Sequence, residues 1–256
     1  MAAALLVRDA PGGVRVLEVS NPQRRNALDD GLFEQLSAAL ADAAGVRAFL
    51  VRGAGDDAFS AGYDVTGLAP PAPSDRLPDE RLGEVLDALS RHPAPSVALV
   101  TGPAYGAGCE LACACDFRVG DARAAFCMPP ARLGVVYSLA GLGRVAARAG
   151  EGTARYLFLT ARRVGADEAL RRGLLDVLAA PGQAEAEALA LCAEVAALAP
   201  RALAGMKQGF ELLRRGATAS DEARYLTLRR EAFTSADARE GLAAFREKRP
   251  PAFRGE

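Results

Sequence analysis

The fold is predicted first from one segment, Gly106-Ala-Gly-Cys-Glu-Leu-Ala-Cys-Ala-Cys115. It follows the short apolar segment Val97–Val100, which we expect to be a buried strand, and it runs into Cys109–Cys115, whose apolar character predicts a buried helix. The first amides of a helix have no partner within the helix, and small residues let a ligand approach the backbone closely. The pattern therefore predicts a strand, a tight turn and a helix N-terminus that presents free amides.

A second segment, Phe59-Ser-Ala-Gly-Tyr-Asp64, also places small residues around a sharp turn. If one amide from each segment converged on a single oxygen, the two would form an oxyanion hole, in which each donor is worth about 3–4 kcal/mol in the transition state. The glycine-rich turn is not a phosphate-binding P-loop, because no Gly-Lys-Ser/Thr follows it. It also lacks the third spaced glycine of a dinucleotide-binding fingerprint.

The first two thirds of the chain alternate between strand and helix patterns. Val14–Val19 alternates apolar and polar residues as a half-buried strand does, and Ala27–Ala44 has a leucine at every fourth position of its first half, as a helix does. Further strands are expected at 46–52, 117–119 and 124–127, and further helices at 79–91, 166–172, 184–199, 202–214, 220–233 and 238–246. From Gly141 onward the pattern is helical almost throughout. We therefore expect an α/β core over residues 1–198 and a helical region over residues 199–256.

Composition excludes some classes of function. The chain has 256 residues, half of them hydrophobic, and a formal net charge of −1, so no broad basic field is available for nucleic acid or an anionic membrane. No apolar run approaches the roughly 20 residues of a membrane span. The first eight residues are too short and too quickly charged for a secretion signal. We expect a cytoplasmic protein without a nucleic-acid or membrane partner.

The cysteines and the single histidine do not predict a metal site. Three of the five cysteines lie within Cys109–Cys115, but a zinc site requires a second ligand pair and none follows. We expect buried free thiols in a reducing compartment. His92 precedes Pro93 and is expected to cap a helix end or lie on the surface, which leaves no histidine base. We interpret Asp116 as a structural hydrogen-bonding residue.

Four segments together resemble one family. Asn21–Leu28, Phe59–Asp64, Gly106–Asp116 and Glu240–Lys248 stand in the order and spacing of the crotonase (enoyl-CoA hydratase/isomerase) family, and the resemblance covers nearly the whole chain. It implies a spiral of strand-strand-helix units with a C-terminal helical trimerisation region. It also implies an acyl-CoA substrate, no cofactor beyond the CoA moiety of that substrate, and a homotrimer or a dimer of trimers.

The resemblance also implies roles for particular residues. The backbone amides of Tyr63 and Ala107 would hold the thioester oxygen; the family usually has glycine at the second position, and alanine keeps the amide. Residues implied to contact CoA are Arg24, Arg25, Ala27, Leu28 and Ala61, and two more, Phe245 and Lys248, stand where the family reaches a neighbouring subunit's CoA. From the residues alone, a solvated turn is the favoured interpretation of Arg24 and Arg25.

The chain departs from the family at its acid–base residues. The hydratases use two glutamates; Glu110 matches the first, but the position of the second is Pro130, which has no acid–base chemistry. Some isomerases place a single glutamate further on, and that position is Ser138. Two-carboxylate hydration is therefore not expected.

The segment Leu133-Gly-Val-Val-Tyr-Ser138 is most similar to the methylmalonyl-CoA decarboxylases of the same family, and Tyr137 falls on their tyrosine. That branch has histidine at the position of Tyr63, whose side chain can either point into the acyl pocket or pack outward. Our first hypothesis is decarboxylation of a short malonyl-type CoA, with Tyr137 orienting the carboxylate and Glu110 returning a proton.

Two other hypotheses remain. The second is an enoyl-CoA isomerase or hydratase that uses Glu110 alone. The third is a non-catalytic acyl-CoA binder, which the missing second carboxylate suggests. The proline-rich stretch Leu68–Pro78 is expected to be a surface loop beside the acyl pocket.

Overall fold

The computed structural model describes residues 3–66 and 77–256. Its strands are β1 (Ala4–Ala10), β2 (Val14–Ser20), β3 (Ala48–Gly53), β4 (Ser96–Val100), β5 (Pro103–Tyr105), β6 (Phe117–Gly120), β7 (Ala125–Cys127), β8 (Val164–Gly165) and β9 (Val177–Leu178). Its helices are α1 (Asp30–Ala41), α2 (Pro78–Arg91), α3 (Ala107–Ala114), α4 (Leu139–Thr160), α5 (Ala166–Arg171), α6 (Ala184–Ala196), α7 (Pro200–Arg215), α8 (Ala219–Thr234) and α9 (Ala236–Glu247). Of the expected loop Leu68–Pro78, residues 68–76 lie outside the described residues.

The main sheet has six strands in the order β1-β2-β3-β4-β6-β9. β1 and β2 pair antiparallel, and all other neighbours in this sheet pair parallel. Strands buried on both faces read as continuous apolar runs, as in Ala48–Val51 and Val97–Val100. Alternate side chains of these strands pack on opposite sides: Phe49 and Val51 join the core that contains α1, α2 and α3, whereas Leu50 joins the core that contains α6.

A second sheet, ordered β5-β7-β8, lies at the ends of the main strands. β4 leads into β5 and then α3, and β6 leads into β7 and then α4, so a strand-strand-helix unit recurs along the chain. The predicted α/β architecture with helices at the C-terminal end is confirmed. Each unit delivers the N-terminus of a helix to the edge of the second sheet, and this is where the candidate site lies.

Several predicted boundaries were wrong. The strand Ala4–Ala10 was missed because its exposed side chains do not alternate; it is held instead by its hairpin with β2. Helix α1 begins at Asp30 rather than Ala27, since the Asp29 side chain accepts a hydrogen bond from the Leu32 amide at 2.8 Å and so caps the helix. β8 and β9 interrupt the region that was expected to be helical almost throughout.

Helix α4 is not a single rod. Gly150, near its middle, has φ 77° and ψ 156°, which lie outside the helical range. Glycine adopts such a conformation at little cost, whereas an L-residue with a side chain does not. The helix therefore consists of an N-terminal half and a C-terminal half that meet at Gly150.

The predictions for the thiols and for His92 are confirmed. All five cysteines are free and buried. His92 follows the last residue of α2, and its Nδ1 accepts a hydrogen bond from the Ala94 amide at 3.0 Å. Within the described residues, no group of three or more His, Cys, Asp or Glu side chains is arranged to hold a metal ion.

Among the described residues, no single helix is both long and apolar enough to cross a membrane; α6 and α7, bent by 104°, meet the length and composition criteria only as a pair. Helix α7 begins at Pro200, close to the expected division of the chain after residue 198. That division, and the oligomerising role of the C-terminal helices, stay predictions.

Asp116 joins three elements, as its predicted structural role requires. Its Oδ2 accepts hydrogen bonds from the Ser96 amide at 2.8 Å and from the Ser96 hydroxyl at 3.1 Å. Lys207 of α7 donates to the same oxygen at 2.5 Å. One carboxylate therefore fixes the start of β4, the start of β6 and helix α7 relative to one another.

We predict that Asp116→Ala lowers the free energy of unfolding by about 2–4 kcal/mol, because it leaves the largely buried Lys207 without its carboxylate and the Ser96 amide without its acceptor. Urea denaturation of the purified protein measures this loss. The control is Glu151→Ala, which removes an exposed ion pair with Arg155 and is expected to cost no more than about 0.5 kcal/mol. Equal losses in the two variants would contradict the prediction.

Candidate active site

The two segments singled out for their small residues lie side by side. Ser60 and Ala104 form a parallel bridge, in which the Ser60 amide donates to the Pro103 carbonyl at 3.1 Å and the Tyr105 amide donates to the Ser60 carbonyl at 2.9 Å. The first segment thus adds to the edge of β5, the strand that leads into α3. The predicted convergence of the two turns is present in the fold.

Two glycines make this approach possible. A Cβ on Gly62, which has φ +99°, would lie 2.7 Å from the Tyr105 carbonyl oxygen and 3.4 Å from the Ala107 amide nitrogen. A Cβ on Gly108 would lie 2.6 Å from the Ser60 carbonyl oxygen. Side chains at either position would force the two backbones apart. The peptide that joins Gly62 to Tyr63 is therefore held beside the start of α3.

The backbone hydrogen bonds around the predicted oxyanion hole do not use the amides of Tyr63 and Ala107. Leu28 bridges to Tyr63 through the Gly62 carbonyl and the Asp64 amide, each at 2.8 Å, so this bridge does not use the Tyr63 N–H. Ala107 is the first residue of α3, where an N–H has no acceptor within its helix. Within residues 3–66 and 77–256, the two amides therefore lie in neighbouring segments and have no hydrogen-bond acceptor.

The side chain of Tyr63 packs against helix α1. Its hydroxyl donates to the Asp30 carboxylate at the start of α1 at 3.0 Å, and its ring lies 5.9 Å from that of Phe33. Burial, followed by the contact with Asp30, raises the pKa of the phenol to about 12. The phenol is thus anchored on α1.

Glu110 lies three residues after Ala107 on α3, and its side chain is fully buried. Its Oε2 accepts a hydrogen bond from the Tyr137 hydroxyl at 2.6 Å, and its Oε1 accepts one from Arg144. The structure thus brings together two of the predicted site residues, Glu110 and Tyr137, in direct contact. The buried carboxylate is compensated on both oxygens, as a buried charge requires.

Arg144 is the functional candidate that sequence reasoning missed. It lies on α4 with its guanidinium nearly buried, and besides Glu110 it donates to the Gly83 carbonyl at 2.9 Å and to Asp87 at 2.5 Å, both on α2. The signal was in the sequence: Gly141, Arg144 and Val145 form the buried stripe of the helix, and an arginine in such a stripe needs a buried partner.

The titration of this cluster follows from its burial. Burial raises the pKa of Glu110, and Tyr137 and Arg144 oppose that rise because both bind the ionised form. The pKa of Tyr137 is raised well above its usual range, first by burial and then by the negative charge of Glu110. The phenol therefore keeps its proton and donates it to the carboxylate.

The two family positions that lack a carboxylate have structural roles. Pro130 opens the short 3₁₀ turn Pro130–Leu133. Ser138 caps α4, since its hydroxyl accepts a hydrogen bond from the Gly141 amide at 3.1 Å. Neither position supplies acid–base chemistry, as the sequence predicted.

The predicted CoA-facing residues of the N-terminal region lie on two segments that contact each other. The Ala61 amide donates to the Arg25 carbonyl at 2.9 Å, and Ala27 and Leu28 follow directly, Leu28 being bonded to the Gly62 carbonyl. The two arginines differ. Arg24 pairs with Asp64 at 2.5 Å, whereas Arg25, in the left-handed conformation with φ 52°, is exposed and has no ion-pair partner within residues 3–66 and 77–256.

Phe245 and Lys248 lie on a different element, helix α9, which packs against α8. The Phe245 side chain is 85% exposed. Lys248 ends the helix in the left-handed conformation, with φ 55°. Their predicted contact with the CoA of a neighbouring subunit stays a prediction.

Known proteins are similar to this chain over most of their length. The family described as enoyl-CoA hydratase/isomerase matches residues 9–256. A probable enoyl-CoA hydratase, echA6, of Mycobacterium leprae is 36% identical over 250 residues, covering 95% of this chain and 96% of the relative. The methylmalonyl-CoA decarboxylase of Escherichia coli is 31% identical over 248 residues, covering 94% and 95%. The solved structure of an enoyl-CoA hydratase/carnithine racemase from Magnetospirillum magneticum has a TM-score of 0.89 and 29% identity, covering 98% and 96%.

Fold and site together define an α/β protein of recurring strand-strand-helix units with a buried carboxylate just inside a helix N-terminus. The chain belongs to the enoyl-CoA hydratase/isomerase family, so the family predicted from the sequence is confirmed. Its placement nearest the decarboxylase branch is not confirmed, because the hydratase relative has the higher identity.

We predict that Gly141→Ala destabilises the protein by about 1–3 kcal/mol, because the added methyl group overlaps the Tyr137 ring and lies 3.0 Å from Glu110 Oε1. Thermal and urea unfolding, together with the near-ultraviolet circular dichroism of tyrosine, measure the loss and the displaced ring. The control is Gly152→Ala on the same helix, where the methyl group meets no atom within 4 Å and is expected to stabilise by about 0.5–1 kcal/mol. Matching effects in the two variants would show that the Tyr137 ring does not depend on Gly141.

Proposed function

We propose that this protein is an enoyl-CoA isomerase or hydratase in which Glu110 alone carries the proton. The observation that carries the proposal is the position of the buried Glu110 carboxylate, three residues after the Ala107 amide and bound to Tyr137 and Arg144. A carboxylate beside an oxyanion hole removes a proton next to a thioester carbonyl while the amides stabilise the enolate oxygen.

In isomerisation, Glu110 takes a proton from the carbon between the thioester and the double bond. The C–H electrons form the enolate, whose oxygen accepts hydrogen bonds from the Tyr63 and Ala107 amides. Glu110 then returns the same proton to the far carbon of the former double bond, which closes the balance. One carboxylate is sufficient for these two proton transfers, in agreement with the absence of a carboxylate at Pro130.

Hydration requires the same residue to do two things in turn. Glu110 takes a proton from water as the water oxygen bonds to the β-carbon, and it then gives that proton to the α-carbon of the enolate. The hydratase relative supports this variant of the proposal. The loss of a second carboxylate at Pro130 removes a group that would otherwise hold the water, so we expect hydration to be the slower of the two reactions.

The substrate that we propose is an acyl-CoA thioester, bound as one CoA per chain without another cofactor or a metal. The exposed Arg25 beside Ala27 and Ala61 suits a CoA phosphate, because no carboxylate within residues 3–66 and 77–256 forms an ion pair with its guanidinium. A homotrimer or a dimer of trimers would bring Phe245 and Lys248 of one subunit to the CoA of the next. The cytoplasm, as a reducing compartment, suits the five free thiols.

Decarboxylation of a short malonyl-type CoA is the second candidate. The Escherichia coli relative and the sequence around Tyr137 favour it. Two contacts weigh against it. The one proton of the Tyr137 hydroxyl is donated to Glu110, so it does not serve a substrate carboxylate, and an ionised Glu110 repels that carboxylate.

The decisive experiment incubates the purified protein with a 3-enoyl-CoA, crotonyl-CoA and methylmalonyl-CoA in parallel. We expect conjugation of the 3-enoyl thioester, read by its absorbance, and slower addition of water to crotonyl-CoA, read by mass spectrometry. Glu110→Gln is expected to lower kcat for both by about 10²- to 10⁴-fold, since it removes the proposed proton carrier. Glu151→Gln, on the exposed face of α4, is the matched control and should retain activity.

Other outcomes separate the alternatives. Loss of CO₂ from methylmalonyl-CoA, with both enoyl thioesters unchanged, would establish the decarboxylase and contradict the proposal. Tight binding of all three thioesters without any product would establish a non-catalytic acyl-CoA binder.

For CoA binding, we predict unequal effects of the two adjacent arginines. Arg25→Gln is expected to raise KM by about 10- to 100-fold, because a charge-assisted hydrogen bond to phosphate is worth roughly 1.5–3 kcal/mol, whereas kcat should change little. Arg24→Gln should have a smaller effect, since Asp64 already neutralises Arg24. Isothermal titration with CoA and steady-state kinetics measure both. A larger effect at Arg24, or a loss confined to kcat, would exclude this mode of binding.

A further inference from the structure

Arg144 is shared between two carboxylates on different helices. Its Nη1 donates to Oε1 of Glu110 on α3, and its Nη2 donates to Asp87 at 2.5 Å and to the Gly83 carbonyl at 2.9 Å on α2. Asp87 in turn pairs with Arg91 at 3.0 Å. The guanidinium is nearly buried and the Glu110 side chain is buried, so solvent screens their pairing little.

The geometry of this contact constrains Glu110 in two ways. A guanidinium is planar and rigid, and three bonds on two of its nitrogens fix its orientation. With Arg144 on one oxygen and Tyr137 on the other, the Glu110 carboxylate has a single rotameric position. The positive charge also favours the ionised carboxylate, which is the form that removes a proton.

We propose that Arg144 is a positioning residue that holds Glu110 as an oriented, ionised base, and that Asp87 limits how strongly it does so. This inference rests on the proposed function of Glu110 as the proton carrier. It assigns to α4 and α2 the task of fixing the acid–base group relative to the substrate. Asp87 and Arg144 need not touch the substrate.

The charged and titratable groups around Glu110 come from every element packed on it. Helix α2 supplies Asp87 and also Asp79, whose negative charge acts on both Glu110 and Tyr137. The start of α4 supplies Tyr137 and Arg144. Helix α3 itself supplies the thiols of Cys109 and Cys113, which are buried beside Glu110. Of these groups, Arg144 alone is positive and in direct contact with Glu110.

The two variants Arg144→Gln and Asp87→Asn should therefore move the titration of Glu110 in opposite directions. Removing the charge of Arg144 disfavours the carboxylate, so the acid limb of the kcat profile should move to higher pH. Asp87→Asn removes the carboxylate that competes with Glu110 for the charge of Arg144. The ionised form of Glu110 is then favoured more strongly, so the acid limb of the kcat profile should move to lower pH. A role in folding alone would lower stability in both variants without shifting the limb in opposite directions.

The experiment measures kcat and KM against pH for the wild type, Arg144→Gln, Arg144→Lys, Asp87→Asn and the control Arg148→Gln. Arg148 lies one turn further along α4 and donates to the Cys113 carbonyl at 3.0 Å, so its loss should leave the limb in place. Arg144→Lys retains the charge but not the planar fork; we expect its limb near the wild-type position, with a lower kcat and an unchanged KM.

The titration is also read without turnover, by NMR of isotope-labelled glutamate carboxyl groups, with Glu110 assigned from the spectrum of Glu110→Gln. Opposite shifts in the two variants would support the role of Arg144 even if the wild type acted on none of the thioesters, a result that would refute only the proposed function. An unmoved Glu110 titration in Arg144→Gln, or shifts of the same sign in both variants, would overturn the inference while leaving the proposed function standing.

Discussion

The close approach of two backbone segments is the constraint on which the rest of the site depends. Residues 60–62 run along β5 so tightly that neither Gly62 nor Gly108 has room for a Cβ. The parallel sheet sets where β5 begins, and the start of α3 follows from it. A free amide at a helix N-terminus is common; what is specific here is that a second turn is pressed against it.

Burying a carboxylate beside that turn creates an electrostatic problem that shapes the neighbouring helices. Desolvation disfavours the charge of Glu110. Two groups stabilise that charge: the Arg144 guanidinium on the buried face of α4 and the hydroxyl of Tyr137, which directly precedes the helix. Because the Arg144 guanidinium also binds α2, the position of the Glu110 carboxylate depends on how α2, α3 and α4 pack together. A change at Asp87 or Gly83 thus reaches Glu110 without touching it.

The sequence predicted the α/β order, the two turns, the buried thiols and Glu110, because these follow from local patterns and from a resemblance that spans the chain. It missed what depends on partners distant in sequence. β1 is a strand because β2 lies beside it, and Arg144 matters because the fold brings α2 and α3 to it. The direction of the Tyr63 phenol depended on Asp30, which no pattern around Tyr63 reveals.

The break at Gly150 divides α4 into two mechanically separate pieces. The first piece carries Arg144 and begins at the cap beside Tyr137; the second ends at β8 with exposed residues such as Leu159. A rigid helix would transmit any tilt at its far end to the carboxylate as a lever does. Because the helix is interrupted at Gly150, the inner piece owes its alignment to its own contacts with α2 and α3 and not to the outer piece.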